Sequence, residues 1–152
     1  MPTITTFLTY NDKAEEAVRY YLSVFEDGKI TSIMPGPNGT VMGVSFELFG
    51  RPFIALNGGP TFSFAEGISL FVECETQAEI DRFWNELTSG GGKESQCGWC
   101  KDKYGVSWQI IPKVLGELFS DRDRAKAGRA MQAMLKMQKL DIAALKKAHA
   151  GE

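Results

Sequence analysis

The sequence has a single histidine among its 152 residues, His149, close to the C-terminus. A site that needs two imidazoles from one chain is therefore excluded. Cysteine is scarce as well. Cys74, Cys97 and Cys100 are an odd number and too few for a disulfide framework, which predicts a reducing, cytoplasmic setting. No apolar run approaches the roughly 20 residues of a membrane helix. Met1–Thr6 lacks the basic-then-apolar order of a signal peptide, so none is expected. Neither sign of charge dominates: the net charge of −2 gives no field that would gather a nucleic acid. No Gly-x-Gly-x-x-Gly opens a predicted helix, which leaves a Rossmann-type nucleotide or S-adenosylmethionine site without support. No Gly-x-Ser-x-Gly marks a nucleophile elbow.

What is present is the composition of a folded protein, 43% hydrophobic and 24% charged. Ala14, Ala17, Val18, Tyr21, Leu22 and Phe25 recur at helical spacing and predict a helix over roughly 12–25. Asp12 with Glu15 resembles a capping box, and Gly28 suits the helix exit. A strand over 4–10 precedes this helix. Strands over 30–34, 41–48 and 52–56 follow it, with Asn38-Gly39 as a hairpin turn and Phe49-Gly50 in the next connection. The pattern then restarts. A strand over 68–74 leads to a capping box of Thr76 and Glu79 and a helix bearing Ile80, Phe83, Trp84 and Leu87, then to a hairpin turning at Tyr104-Gly105. Residues 17–21 align with 80–84, bulky on bulky and Arg19 on Arg82. The whole reads as a repeat of strand-helix-strand-strand-strand.

From Lys113 onward no β-rich run occurs. Nine basic against five acidic residues give 113–152 a net charge of +4, and the rest of the chain carries −6. Val114, Leu115, Leu118 and Phe119 suggest one helix, the methionines from Met131 to Met137 a second, and Asp141 caps a third. Its alternating charges predict a solvated face rather than a nucleic-acid surface, and its end, with His149, is expected to fray.

Two motifs invite stronger readings. Cys97-Gly98-Trp99-Cys100 has the spacing of a redox dithiol or half a zinc site, but a turn and a strand follow it rather than the helix a redox thiol needs. Ser89-Gly90-Gly91-Gly92-Lys93 resembles a phosphate loop, yet it follows a helix and leads toward a strand, which makes it a helix exit.

Several segments together resemble the PhnB-like family of the vicinal-oxygen-chelate superfamily, which also includes glyoxalase I and bleomycin-resistance proteins. They are Asn57-Gly58-Gly59-Pro60, the strand Ser69–Cys74, Cys97-Gly98-Trp99, the segment Asp102–Pro112 with Gly105-Val106-Ser107-Trp108-Gln109-Ile110 at its centre, and the Met-rich helical tail. The resemblance implies an α+β fold of two βαβββ modules forming a glyoxalase-like cupped sheet over 1–112, the modules covering about 1–60 and 61–112. A C-terminal helical extension over 113–152 follows. It also implies a homodimer and a pocket for a small organic ligand inside the cup. Family members often carry the name 3-demethylubiquinone-9 3-methyltransferase.

Superfamily chemistry generally uses a divalent metal held by His and Glu on the inner strands. Carried onto this sequence, those positions fall near Thr6, near Ala55 or its neighbour Asn57, at Ser69 and at Gln109. These offer hydroxyls and amides in place of imidazoles and carboxylates, so no metal and no cofactor are expected. The expected ligand contacts are Thr6, Asn57, Ser69 and Gln109 as polar groups, with Trp99 and Trp108 as stacking surfaces. For each, the plain alternative is a core or backbone-satisfying role. The competing functional class is an enzyme, either a metal-dependent lyase or isomerase or a methyltransferase.

Overall fold

The apolar stripe of the first helix organises the N-terminal half. In the computed structural model, which describes residues 1–152, β1 (Thr6–Tyr10) leads into α1 (Ala14–Phe25), followed by β2 (Gly28–Pro35), β3 (Val41–Leu48) and β4 (Arg51–Asn57). These form one sheet in the order β1-β4-β3-β2, with β1 parallel to β4 and the other pairs antiparallel. Ala14, Ala17, Val18, Tyr21, Val24 and Phe25 of α1 are buried. The sheet residues of one parity (Leu8, Tyr10, Val44, Phe46, Leu48 and Ala55) are buried with them. Alternation along a strand sends the other parity to the opposite, open face. The Tyr10 and Tyr21 hydroxyls meet at 2.9 Å within this core.

Two local expectations for α1 are corrected. Its N-cap is Lys13, with no side-chain cap of its own, and Asn57 Oδ1 instead accepts the Ala14 N–H at 2.8 Å. A side chain from β4 therefore takes the role expected of Asp12. The exit is made by Glu26 at φ 60°, while Gly28 opens β2, where a Cβ would collide with the Glu47 carbonyl. The Asn38-Gly39 turn is as expected: both residues have positive φ, 57° and 75°.

The second unit repeats the plan. β5 (Leu70–Cys74), α2 (Gln77–Thr88), β6 (Lys93–Glu94), β7 (Trp99–Lys101) and β8 (Ser107–Pro112) form a sheet in the order β5-β8-β7-β6, again with first and last strands parallel. Both helices have 12 residues, and α1 and α2 superpose end to end in the alignment read from the sequence. The Thr76–Glu79 capping box is formed in full. The chain divides into units Met1–Ser63 and Phe64–Glu152, the second of which includes the C-terminal helices.

The hairpin of β7 and β8 is fixed by a buried acid. Asp102, 2% exposed, accepts the Tyr104 N–H at 2.9 Å and the Val106 N–H at 3.1 Å through Oδ1, and the Trp108 indole N–H at 2.9 Å through Oδ2. A carboxylate that loses water on burial is retained only with such partners.

Helices α3 (Val114–Phe119), α4 (Arg124–Met134) and α5 (Ile142–Ala150) close over Ile111 with a core of Leu115, Leu118, Ala130, Leu140 and Leu145. Asp123 and Asp141 cap the latter two. The end of the chain does not fray. His149 meets Asp121 Oδ2 at 2.8 Å, and Arg129 donates to the Ala148 and His149 carbonyls. Gln77 of α2 donates to the Leu140 carbonyl and accepts the Ile142 N–H at 2.8 Å. The Cys97 and Gly98 N–H groups donate to the Met137 and Gln138 carbonyls, each at 2.8 Å. None of these helices is long and apolar enough to cross a membrane.

Replacing Asp102 by Ala should lower unfolding stability by about 3 kcal/mol, because three donors lose a buried acceptor together. Urea denaturation followed by Trp fluorescence measures this.

Candidate functional site

The register of the second sheet decides which side chains share its open face. Trp99 is opposite Gln109, which is paired in turn with Phe71 of β5. Beside this row, Lys93 is opposite Lys101, and Lys101 is opposite Ser107. Alternation places Trp108, Ile110 and Cys100 on the other face, against α2, where they are 2%, 0% and 1% exposed. On the open face Trp99 and Gln109 are half-buried and Phe71 is 56% exposed. Gln109 Nε2 donates to the Ser69 hydroxyl at 2.9 Å, which orients the amide and turns its carbonyl oxygen away from the serine. A cavity of about 270 Å³ adjoins this face, lined by Trp99, Lys101, Ser107, Lys93, Glu66 and neighbours on the 94–100 segment. Lys101 Nζ donates to the Glu66 carboxylate across it, and that bond and charge hold the Glu66 carboxyl below its ordinary pKa.

Three of the six expected ligand contacts therefore come together: Ser69, Trp99 and Gln109. The other three do not present free polar or stacking groups on an open face. Trp108 is a core residue, its indole N–H committed to Asp102. Asn57 has both ends of its amide in use, Oδ1 on Ala14 N and Nδ2 on the Val41 carbonyl at 3.0 Å. Thr6 has the parity of Leu8 and Tyr10, the side facing α1; the open face at β1 is carried by Phe7 and Thr9. Sequence reasoning missed Lys101, Ser107, Lys93 and Glu66. Strand parity was the available signal for two of them, since Ser107 lies two residues before Gln109 and Lys101 two after Trp99.

The cysteines hold no chemistry of this kind. Cys97 sits at the turn into β7 with φ 60°, and Cys100 points into the core, so the motif is a hairpin entry. Burial pushes the thiols of both Cys74 and Cys100 up to about 12, with nearby carboxylates adding to the effect. The triglycine segment follows the C-terminus of α2, with Gly90 and Gly91 at positive φ, and presents no helix N-terminus to a phosphate.

This architecture is that of the glyoxalase/bleomycin-resistance proteins. A glyoxalase/bleomycin resistance protein from Albidiferax ferrireducens superposes with a TM-score of 0.52 at 14% identity, covering 73% of this chain and 98% of its own. The fosfomycin resistance protein FosX from Listeria monocytogenes, solved with Mn(II), gives 0.56 at 9% identity, covering 73% and 92%. Within that fold class, the family model for 3-demethylubiquinone-9 3-methyltransferase matches residues 2–111, and the chain belongs to that family. The PhnB protein from Bacillus cereus is 36% identical, with a TM-score of 0.67, covering 73% of this chain and 99% of its own. No functionally curated protein matches the sequence. The family match ends at Ile111, so α3–α5 lie beyond it.

A divalent metal of the kind found in FosX does not fit the donors present here. Ala55 is fully buried on the helix face, Asn57 is committed, and Ser69 and Gln109 are neutral and bonded to each other. No three His, Cys, Asp or Glu side chains converge anywhere in the chain. Neutral hydroxyl and amide oxygens leave the ion's charge unbalanced. No glycine-rich strand-to-helix loop of the Rossmann type is present to receive a methyl donor.

Two outcomes test these placements. Asn57→Ala should cost about 1–2 kcal/mol of stability, as the loss of a helix cap does, without changing ligand affinity on the second unit. Iodoacetamide at pH 8 should label Cys97 in the folded protein and reach Cys74 and Cys100 only after denaturation, which mass spectrometry resolves.

Proposed function

We propose that the chain binds a small, partly planar organic molecule on the open face of the second sheet, without a tightly bound divalent metal. The observation that carries this reading is the row of Trp99 and Gln109, with the Gln109 amide oriented by Ser69, beside a cavity. An exposed aromatic face gives stacking area. A pre-oriented amide gives a directional hydrogen bond at little entropic cost. Phe71 extends the apolar surface across the neighbouring strand. The family's membership among glyoxalase/bleomycin-resistance folds supports a ligand-binding role, and the neutral donor set favours binding by contact over Lewis-acid chemistry.

Trp fluorescence offers a selective test, because Trp84 and Trp108 are 1% and 2% exposed while Trp99 is half-buried. Titration with a panel of planar metabolites should quench the Trp99 signal saturably, and Trp99→Phe should abolish the response. Gln109→Ala should weaken binding by about tenfold, the worth of one oriented hydrogen bond with its desolvated partner. A panel that leaves Trp99 unchanged overturns the reading. Stoichiometric zinc, nickel, iron or manganese retained through dialysis overturns its metal-free part, and turnover abolished by a chelator would favour the enzyme class instead.

A further inference from the structure

The cavity beside Trp99 carries a charge arrangement that the fold does not require. Lys93 and Lys101 are direct partners on adjacent antiparallel strands, on the same face. Like charges directly opposite each other destabilise a sheet pair. Both side chains line the cavity together with Ser107, which is 3% exposed. Two carboxylates also border it, but Glu94 is turned toward α2, where its Oε1 accepts the Trp84 indole N–H at 2.6 Å. That leaves the single carboxylate of Glu66 to face two ammonium groups. Glu66 reaches Lys101 from the segment between β4 and β5, outside any helix or strand, and its residue is exposed. Its carboxylate is held by this ion pair and by a local backbone hydrogen bond.

We infer that Lys93 and Lys101 form a receptor for the oxyanion of an acidic ligand, and that the Glu66 carboxylate occupies it in the free protein. The inference rests on the binding site proposed above and names the chemical class of its ligand: a planar or aromatic body on Trp99 with a carboxylate or phosphate one strand position away. Trp99 and Lys101 are two residues apart on one face of β7, about 6–7 Å, a gap that the flexible four-carbon stem of lysine can close onto an acid carried directly on the body. Ser107, opposite Lys101, supplies a hydroxyl donor to the same oxyanion. Glu66 is an internal competitor. A ligand acid takes its place on Lys101, and the exposed carboxylate returns to water at little cost.

The test uses the full chain and three probes of similar size: benzoate, phenyl phosphate and neutral benzamide, each titrated against Trp99 fluorescence. Benzoate or phenyl phosphate should bind at least tenfold more tightly than benzamide, the worth of a charge-assisted bond. Whichever of the two is tighter identifies the acid. Glu66→Gln should strengthen the charged probes about three- to tenfold by removing the competitor, and Lys93→Met with Lys101→Met should erase their advantage. Benzamide affinity should be unchanged by all three substitutions. These residues lie at the surface, and unaltered urea denaturation midpoints would confirm intact folding. Equal affinity for benzoate, phenyl phosphate and benzamide, or no gain in Glu66→Gln, overturns the receptor. If benzamide alone quenches Trp99, the receptor falls and the small-molecule reading stands. If none of the three does, the receptor falls, and the metabolite panel decides the broader reading separately.

Discussion

The carboxylate of Asp102 is the contact on which the second unit depends most. It holds two backbone N–H groups of a tight turn and the indole of Trp108, so it fixes where β7 stops and β8 begins. With that turn set, the register of the hairpin follows. Register in a half-buried sheet is all or nothing, since a slip of one residue exchanges the two faces. Trp108, Ile110 and Cys100 go to α2 and are sealed there. Ser107, Gln109, Trp99 and Lys101 go to the open face together. A core hydrogen bond thus assembles a surface that it never touches. The first unit solves the equivalent problem differently, with Phe49 and Gly50 both at positive φ in the turn and Asn57 tying strand, helix and β3 together.

Most of the fold was legible in the sequence because it rests on local signals. The helical stripes from Ala14 and from Ile80, the Thr76–Glu79 box, the Asn38-Gly39 turn and the caps at Asp123 and Asp141 are set within a few residues of where they act. Of these, Asp141 was anticipated as a cap, whereas Asp123 was not singled out. The misreadings at Asp12 and Gly28 share a cause: the partners that matter, Asn57 and the Glu47 carbonyl, are distant along the chain. The fraying expected of the C-terminus failed for the same reason. Gln77, Asp121 and the backbone at 97–98 hold the last helices from afar.

The candidate site was only half legible. Ser69 and Gln109 were found through a family pattern, and they prove to be neighbours joined by a hydrogen bond. Trp108 was attractive because it is aromatic and adjacent to Gln109, yet adjacency on a strand means opposite faces. Lys93, on a two-residue strand, and Glu66, on an irregular segment, have no periodicity to betray them. Strand pairing sets Lys93 opposite Lys101, and Glu66 joins them through its ion pair with Lys101.

The attachment of the C-terminal helices has a consequence for how this protein can diverge. Their hold on the hairpin passes through the main-chain carbonyls of Met137 and Gln138, which any residue could supply. The exposed side chain of Gln138 can therefore drift without loosening the clamp, whereas Met137 also packs against the helical core. The constraint is recorded instead on the opposite partner, at Gly98, where a Cβ would stand 2.8 Å from Ile111 Cδ1 and 3.1 Å from Leu140 Cδ1. That glycine has φ 85°, so the backbone geometry and the crowding both argue against substitution. A comparison of sequences that sought the extension's hold on the hairpin only among its own residues would miss Gly98. The imprint of the C-terminal helices on the hairpin lies one residue before Trp99, at Gly98.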